Sequence, residues 1–151
     1  MRISDYLKDN QIFLDIEAAS RDAAIAAVVN KMNNQNLLED AAKFLQEVNE
    51  REKLGSTGIG KGVALPHART KYVKAIVVTM ARLKNGVDFH ADDKQPVKLI
   101  FLLGTPLNAV GDYLKVLSKL SKILREDKVR KKLLKAGSAR EIIDILKDVE
   151  E

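Results

Sequence analysis

The chain has 151 residues, 46% of them hydrophobic and 31% charged, with 26 Lys and Arg against 21 Asp and Glu and a net charge of +5. Its length makes one domain that buries roughly 68–70% of the unfolded surface, and its apolar fraction excludes intrinsic disorder. The absence of cysteine excludes disulfides, thiolate metal sites and a cysteine nucleophile, and the two histidines, His67 and His90, leave few groups for chemistry near neutral pH.

The amino-terminal MRISDYLKDN has no apolar run and does not read as a signal peptide. The apolar stretches, such as 23–29, are too short to span a membrane, so a soluble, cytoplasmic protein without membrane insertion is expected. IFLDI (12–16) predicts a short strand, and Ser20 then caps a helix whose buried stripe is Ile25, Val28, Val29 and Met32. A second helix is predicted from about Glu39 to Lys53, with Ala42, Leu45 and Val48 inward and Gly55 as its stop. GSTGIGKG (55–62) holds four of the eight glycines and predicts a loop that needs unusual backbone angles or a close approach to something. VALPHA (63–68) follows, then two aliphatic runs, AIVVTMARL (75–83) and PVKLIFLLG (96–104), that suit buried strands.

The rest of the chain reads as helical. Leu114, Leu117, Leu120 and Leu124 line one face of a first helix, and Val129, Leu133 and Leu134 mark a second. Ser138 and Glu141 form a capping box for a third, with Ile142, Ile145, Leu146 and Val149 inward. The pattern is a single α/β domain over 1–151, a sheet covered by helices. The basic excess gathers in this last third, in KVRKKLLK (128–135) and at Lys115, Lys119 and Lys122. That stretch has no aromatic residue on which a base could stack, so it reads as a solvated helix face, with no nucleic-acid partner.

The glycine loop tests two nucleotide-binding patterns and fails both. Gly55 to Lys61 matches G-x-x-x-x-G-K, but Gly62 stands where a Ser or Thr hydroxyl should hold magnesium, and a helix rather than a strand precedes it. Gly58, Gly60 and Gly62 do not make the dinucleotide spacing. What remains is an anion cradle of loop amides, including that of Gly58, with the hydroxyls of Ser56 and Thr57. Arg51, four residues before Gly55, can fork onto a phosphate. The stretch ends in His67, whose neutral imidazole can take a phosphoryl group on one ring nitrogen and hand it on. No metal or nucleotide cofactor is implied: His90 in DFHADD lacks further ligands and reads as an exposed turn residue.

REKLGSTGIGKGVALPHA (51–68) closely resembles the active-site signature of the enzyme IIA domains of the bacterial phosphotransferase system, mannitol/fructose type, which includes the nitrogen-regulatory IIA proteins. The resemblance continues in DFHADDKQPVKLIFLL (88–103) and into the terminal helices. It implies a mixed sheet of about five strands flanked by helices on both faces, and a phosphocarrier. His67 would accept a phosphoryl group from HPr or a nitrogen-branch HPr-like protein, with Arg51 stabilising it. The group would then pass to a IIB domain, or the phosphorylation state would be read by regulatory targets. Sugar-specific members of the family usually carry a second histidine opening a helix, where this chain has Tyr113. A tyrosine hydroxyl can donate to a phosphate oxygen but brings no positive charge.

Three functions are left open. The first is a stand-alone regulatory IIA, favoured by a chain that reaches Glu151 without a IIB cysteine or a membrane-embedded segment. The second is a separate sugar-specific IIA subunit serving a fructose- or mannitol-type IIB. The third is an anion-binding module that uses His67 as a donor only. A hydrolase is disfavoured, since Ser56 has no nucleophile-elbow context.

Overall fold

The computed structural model describes residues 2–150. Two 3-10 turns, Ile3–Asp5 and Asp9–Gln11, lead into β1 (Ile12–Ile16), followed by the helices α1 (Arg21–Asn34) and α2 (Ala41–Leu54). Three short strands come next: β2 (Gly58–Gly60), β3 (Val63–Ala64) and β4 (His67–Arg69). The two aliphatic runs become the long strands β5 (Val77–Val87) and β6 (Val97–Thr105), and the chain finishes with α3 (Val110–Leu124), α4 (Asp127–Lys135) and α5 (Ala139–Val149).

The sheet order is β1-β5-β6-β3-β2. β5 and β6 pair antiparallel, β1 runs parallel to β5, and β2 is antiparallel to β3. β3 and β4 both pair parallel with β6, successively along one edge: Val63 and Ala64 face Leu99 and Ile100, then His67, Ala68 and Arg69 face Leu103, Gly104 and Thr105. Leu65 and Pro66 separate the two short strands, and the Pro66 carbonyl still accepts the Leu103 N–H at 2.9 Å. The sheet is mixed and six-stranded, one strand more than the resemblance implies.

Alternation along β6 divides the core in two. Leu99, Phe101 and Leu103 face one layer, where Val116, Leu120 and Leu124 of α3 pack with α4, α5, Ile3 and Leu7. Ile100 and Leu102 face the other, against Ile25, Val28 and Val29 of α1 and Phe44 and Val48 of α2. Each fully buried Leu, Ile or Phe contributes about 1.5–3 kcal/mol of transfer free energy, which fixes both helix layers on the sheet. Gly104 is required by this packing, because a Cβ there would lie 3.1 Å from two ring carbons of Phe44. Among the described residues, no helix is long and apolar enough to cross a membrane.

Polar side chains fasten the elements. Ser20 accepts the Ala23 N–H at 3.1 Å and Asp40 the Lys43 N–H at 3.0 Å, capping α1 and α2. Arg82 of β5, 8% exposed, donates to the carbonyls of Leu133, Leu134 and Ala136 at the end of α4 and pairs with Asp15 at 3.3 Å. The Glu150 carboxylate, its side chain fully buried, accepts the Ile3 N–H at 2.8 Å and pairs with Lys119 at 3.2 Å.

Several sequence expectations are corrected. In α2, Leu45 and Val48 face inward as expected, joined by Phe44 and Glu52, but Ala42 lies outside, because the bulkier phenyl ring sets the rotation of the helix. In α3 the buried set is Tyr113, Val116, Leu120, Ile123 and Leu124, and Leu114 is 57% exposed, about 100° around the helix from Tyr113. Leu134 is exposed as well. The expected capping box of α5 is half made: Ser138 accepts the Glu141 N–H at 3.2 Å, but the Glu141 carboxylate turns to the Gly137 N–H at 3.0 Å. Finally, part of the glycine loop is the strand β2.

Candidate functional site

The site forms where the two helix layers meet at one end of the sheet. β4 carries His67 to the end of β6, beside Leu103. The last two turns of α2 pass over it with Glu47, Glu50, Arg51 and Leu54 on one face, and the first turn of α3 presents Tyr113 from the other layer. These residues, with Ala68 and Arg69, line an open cavity of about 530 Å³.

His67 is half-buried, and its Nδ1 lies 2.8 Å from the Leu65 carbonyl oxygen. A carbonyl only accepts, so Nδ1 carries the ring proton and Nε2 keeps its lone pair. Burial pulls the His67 pKa below the ordinary histidine value, Arg51 acts in the same direction, and the Leu65 carbonyl and Glu52 oppose them. The ring is therefore neutral at neutral pH, as a nucleophile must be. Its centroid lies 5.5 Å from that of Tyr113, with the planes 55° apart. Burial raises the Tyr113 pKa while Arg51 and Arg69 oppose the rise, so the phenol keeps its proton and can donate it to an acceptor in the cavity.

Arg51 donates from Nη1 to the Gly55 carbonyl at 2.8 Å, at the end of its own helix, which holds the guanidinium beside His67 with donors to spare. Glu47 accepts the Thr70 hydroxyl at 2.6 Å, and Glu50 accepts from Gln46 at 3.3 Å. Neither Arg51 nor Arg69 is in an ion pair among the described residues.

The loop donors expected at the anion are committed elsewhere. The Thr57 N–H and hydroxyl both donate to the buried Glu52 carboxylate, at 2.8 and 2.6 Å. The Ser56 hydroxyl donates to the Phe89 carbonyl and accepts the Gly58 N–H, the latter at 3.0 Å. Ser56, Thr57 and Gly58 accordingly do not line the His67 cavity. The glycines have another reason: a Cβ on Gly58 would sit 2.9 Å from that of Ala91. The loop is strapped to the 88–93 segment, where Asp93 also accepts the Lys61 N–H at 2.8 Å.

His90 stands in that segment with its side chain 65% exposed and its backbone left-handed, 3.7 Å from Asp88. No group of three or more His, Cys, Asp or Glu residues suited to a metal ion occurs among the described residues. The sequence reading missed Arg69, Glu47 and Glu50. Arg69 was signalled by strand alternation, since residues two apart share a side. The two glutamates were signalled by helical spacing from Arg51 and Leu54.

The sequence profile of the family described as phosphoenolpyruvate-dependent sugar phosphotransferase system, EIIA 2, matches residues 5–149. A fructose-specific EIIA component of Haloferax volcanii is 36% identical over 93% of this chain and 91% of its own length. A fructose-specific EIIABC component of Bacillus subtilis is also 36% identical over 97% of this chain, which spans only 23% of that longer protein. Among solved structures, the nitrogen regulatory protein IIA-Ntr of Neisseria meningitidis superposes with a TM-score of 0.89 at 38% identity, covering 95% of this chain and 98% of that one.

Proposed function

The chain belongs to the EIIA 2 family of the phosphotransferase system, whose members are phosphocarriers, and from that premise we propose that His67 Nε2 is the atom that takes the phosphoryl group. The observation that carries the proposal is the Nδ1–H bond to Leu65, which leaves Nε2 as the ring's nucleophile in a cavity lined by two guanidiniums with no ion pair among the described residues. An HPr-type protein is the proposed donor. Its N–P bond breaks with the electron pair returning to the donor ring, while the Nε2 lone pair forms the new N–P bond. The Nδ1 proton stays on the ring, where the Leu65 carbonyl stabilises the positive charge that builds during attack. Arg51 meets the phosphoryl oxygens with charge-assisted donors, and the Tyr113 hydroxyl adds a neutral one.

The proposed docking surface is centred on Leu54, which lines the cavity and is 85% exposed, and includes the exposed apolar residues around the start of α3: Leu107, whose carbonyl holds Arg69, Val110, and Leu114 next to Tyr113. From there the group passes to a IIB domain or the phosphorylated state is read by a regulatory target, in the cytoplasm. The regulatory role is favoured by Tyr113, which cannot supply an imidazolium. A separate fructose-type subunit is the second reading, favoured by the likeness to the Haloferax EIIA component along nearly its whole length. Domain limits of 1–151 are part of the same proposal.

The test is to incubate the protein with phosphoenolpyruvate, enzyme I and HPr and look for acid-labile, alkali-stable phosphate. The native chain should become labelled and His67→Ala should not. Label persisting in His67→Ala, or none on the native chain, would remove His67 from the reaction.

A further inference from the structure

Tyr113 supplies the cavity with a hydroxyl but no charge, and a phosphohistidine brings close to two negative charges. Arg51 answers one of them. The residue positioned to answer the other is Arg69. It follows His67 by two on β4, so the two side chains leave the strand on the same side, with their Cα atoms roughly 6.6 Å apart. The intervening Ala68 is buried, and Arg69 lines the same cavity as His67, Arg51 and Tyr113.

The guanidinium is steered without being neutralised. Nη2 donates to the Leu107 carbonyl at 3.0 Å, which uses one of five N–H donors. Glu47 and Glu50 line the same cavity, yet neither forms an ion pair with Arg69, and Glu47 is occupied by the Thr70 hydroxyl. Two cations without an ion pair among the described residues, around one nucleophilic ring, make a site prepared for an anion with several acceptor oxygens. The field of Arg69 also reaches the Tyr113 hydroxyl, opposite in effect to burial, as does that of Arg51.

We propose that Arg69 is a second cationic ligand of the phosphoryl group on His67, gripping it together with Arg51. The proposal rests on the reading that His67 is the phosphorylated residue. It has a consequence for the chemistry: a guanidinium keeps its charge throughout the physiological range, whereas an imidazolium in the same role is lost as pH rises past about 6.5. The grip on phosphate in this protein would therefore not weaken between pH 6 and 8.

Two measurements on the full chain test it, with native protein, Arg69→Gln and Arg69→Lys. The first is the equilibrium of phosphoryl exchange with HPr. The second is the phosphorus NMR titration of the phosphohistidine, which reads the protonation of the phosphate itself. Arg69→Gln should move the exchange equilibrium toward phosphorylated HPr on the order of ten-fold. It should also raise the pH at which the phosphate titrates, and Arg69→Lys should recover part of both effects. Arg69→Gln indistinguishable from native in both would overturn the proposal while leaving His67 as acceptor. So would Arg69→Lys no better than Arg69→Gln, which assigns the loss to the Leu107 contact. Absence of a phosphohistidine signal in the native protein would overturn the underlying reading as well.

Discussion

A histidine proposed to attack phosphorus must hold a lone pair when its partner arrives, and the surroundings of His67 keep one available. Burial favours the neutral ring, and the Leu65 carbonyl decides which nitrogen keeps the proton. The sign of the resulting pH dependence follows from proton counting. Between the depressed folded pKa and the ordinary value of about 6.5, the unfolded chain binds more protons at this position than the folded one. The stability associated with His67 is thus fully present above about pH 6.5 and is lost as pH falls through the folded pKa. An NMR titration of the ring should give a midpoint below 6.5, and His67→Gln should flatten the corresponding limb of unfolding free energy against pH. A midpoint at or above 6.5 would contradict the burial argument.

At the scale of elements, the brace between α2 and the glycine loop carries its own prediction. Glu52 is 4% exposed and takes two hydrogen bonds from Thr57, one from the backbone and one from the hydroxyl. Glu52→Ala strands both donors in the interior and should cost about 2–4 kcal/mol by urea unfolding, with faster exchange of the Thr57 amide. Unchanged exchange there would show that the loop is held by its other strap, to Phe89 and Asp93. The same region shows what a linear sequence conceals. The strands 75–83 and 96–104, the Ser20 cap and the grouping of His67 with Arg51 were legible, because β-branching, capping and motif spacing are local. The reason for the glycines was not, because Ala91 and Asp93, which press against them, lie some thirty residues away. Leu45 and Val48 of α2 and Leu117, Leu120 and Leu124 of α3 do face the core, and the two misplaced residues, Ala42 and Leu114, have a related cause. Phe44 and Tyr113 outweigh Ala42 and Leu114 once a sheet is underneath, and a list of apolar spacings does not weigh one residue against another.

For the whole molecule, the mixed sheet determines where chemistry can occur. β3 and β4 share one edge of β6, so the chain can break at Leu65–Pro66 and still deliver His67 alongside Leu103, between a helix from each layer. Two independent cores hold the two helices in place, and the cavity inherits its shape from both. The Glu150 carboxylate adds a closure of another kind, since it joins residues 147 apart by direct hydrogen bonding to Ile3. Ile3 and Glu150 are therefore neighbours in space. A linker of about five residues, able to span up to roughly 17 Å, could bridge them. New ends could then be opened in the exposed turn at Gln35 and Asn36. Such a circular permutant should fold and behave like the native chain in the phosphoryl-labelling assay, with its loss of stability read by urea unfolding. Failure to fold would mean that the order in which α1 and β1 are made matters as much as their final contacts. In the native chain, that closure must be among the costliest in loop entropy, so the Glu150 contact is expected to form late and to open without disturbing the end of the sheet that carries His67.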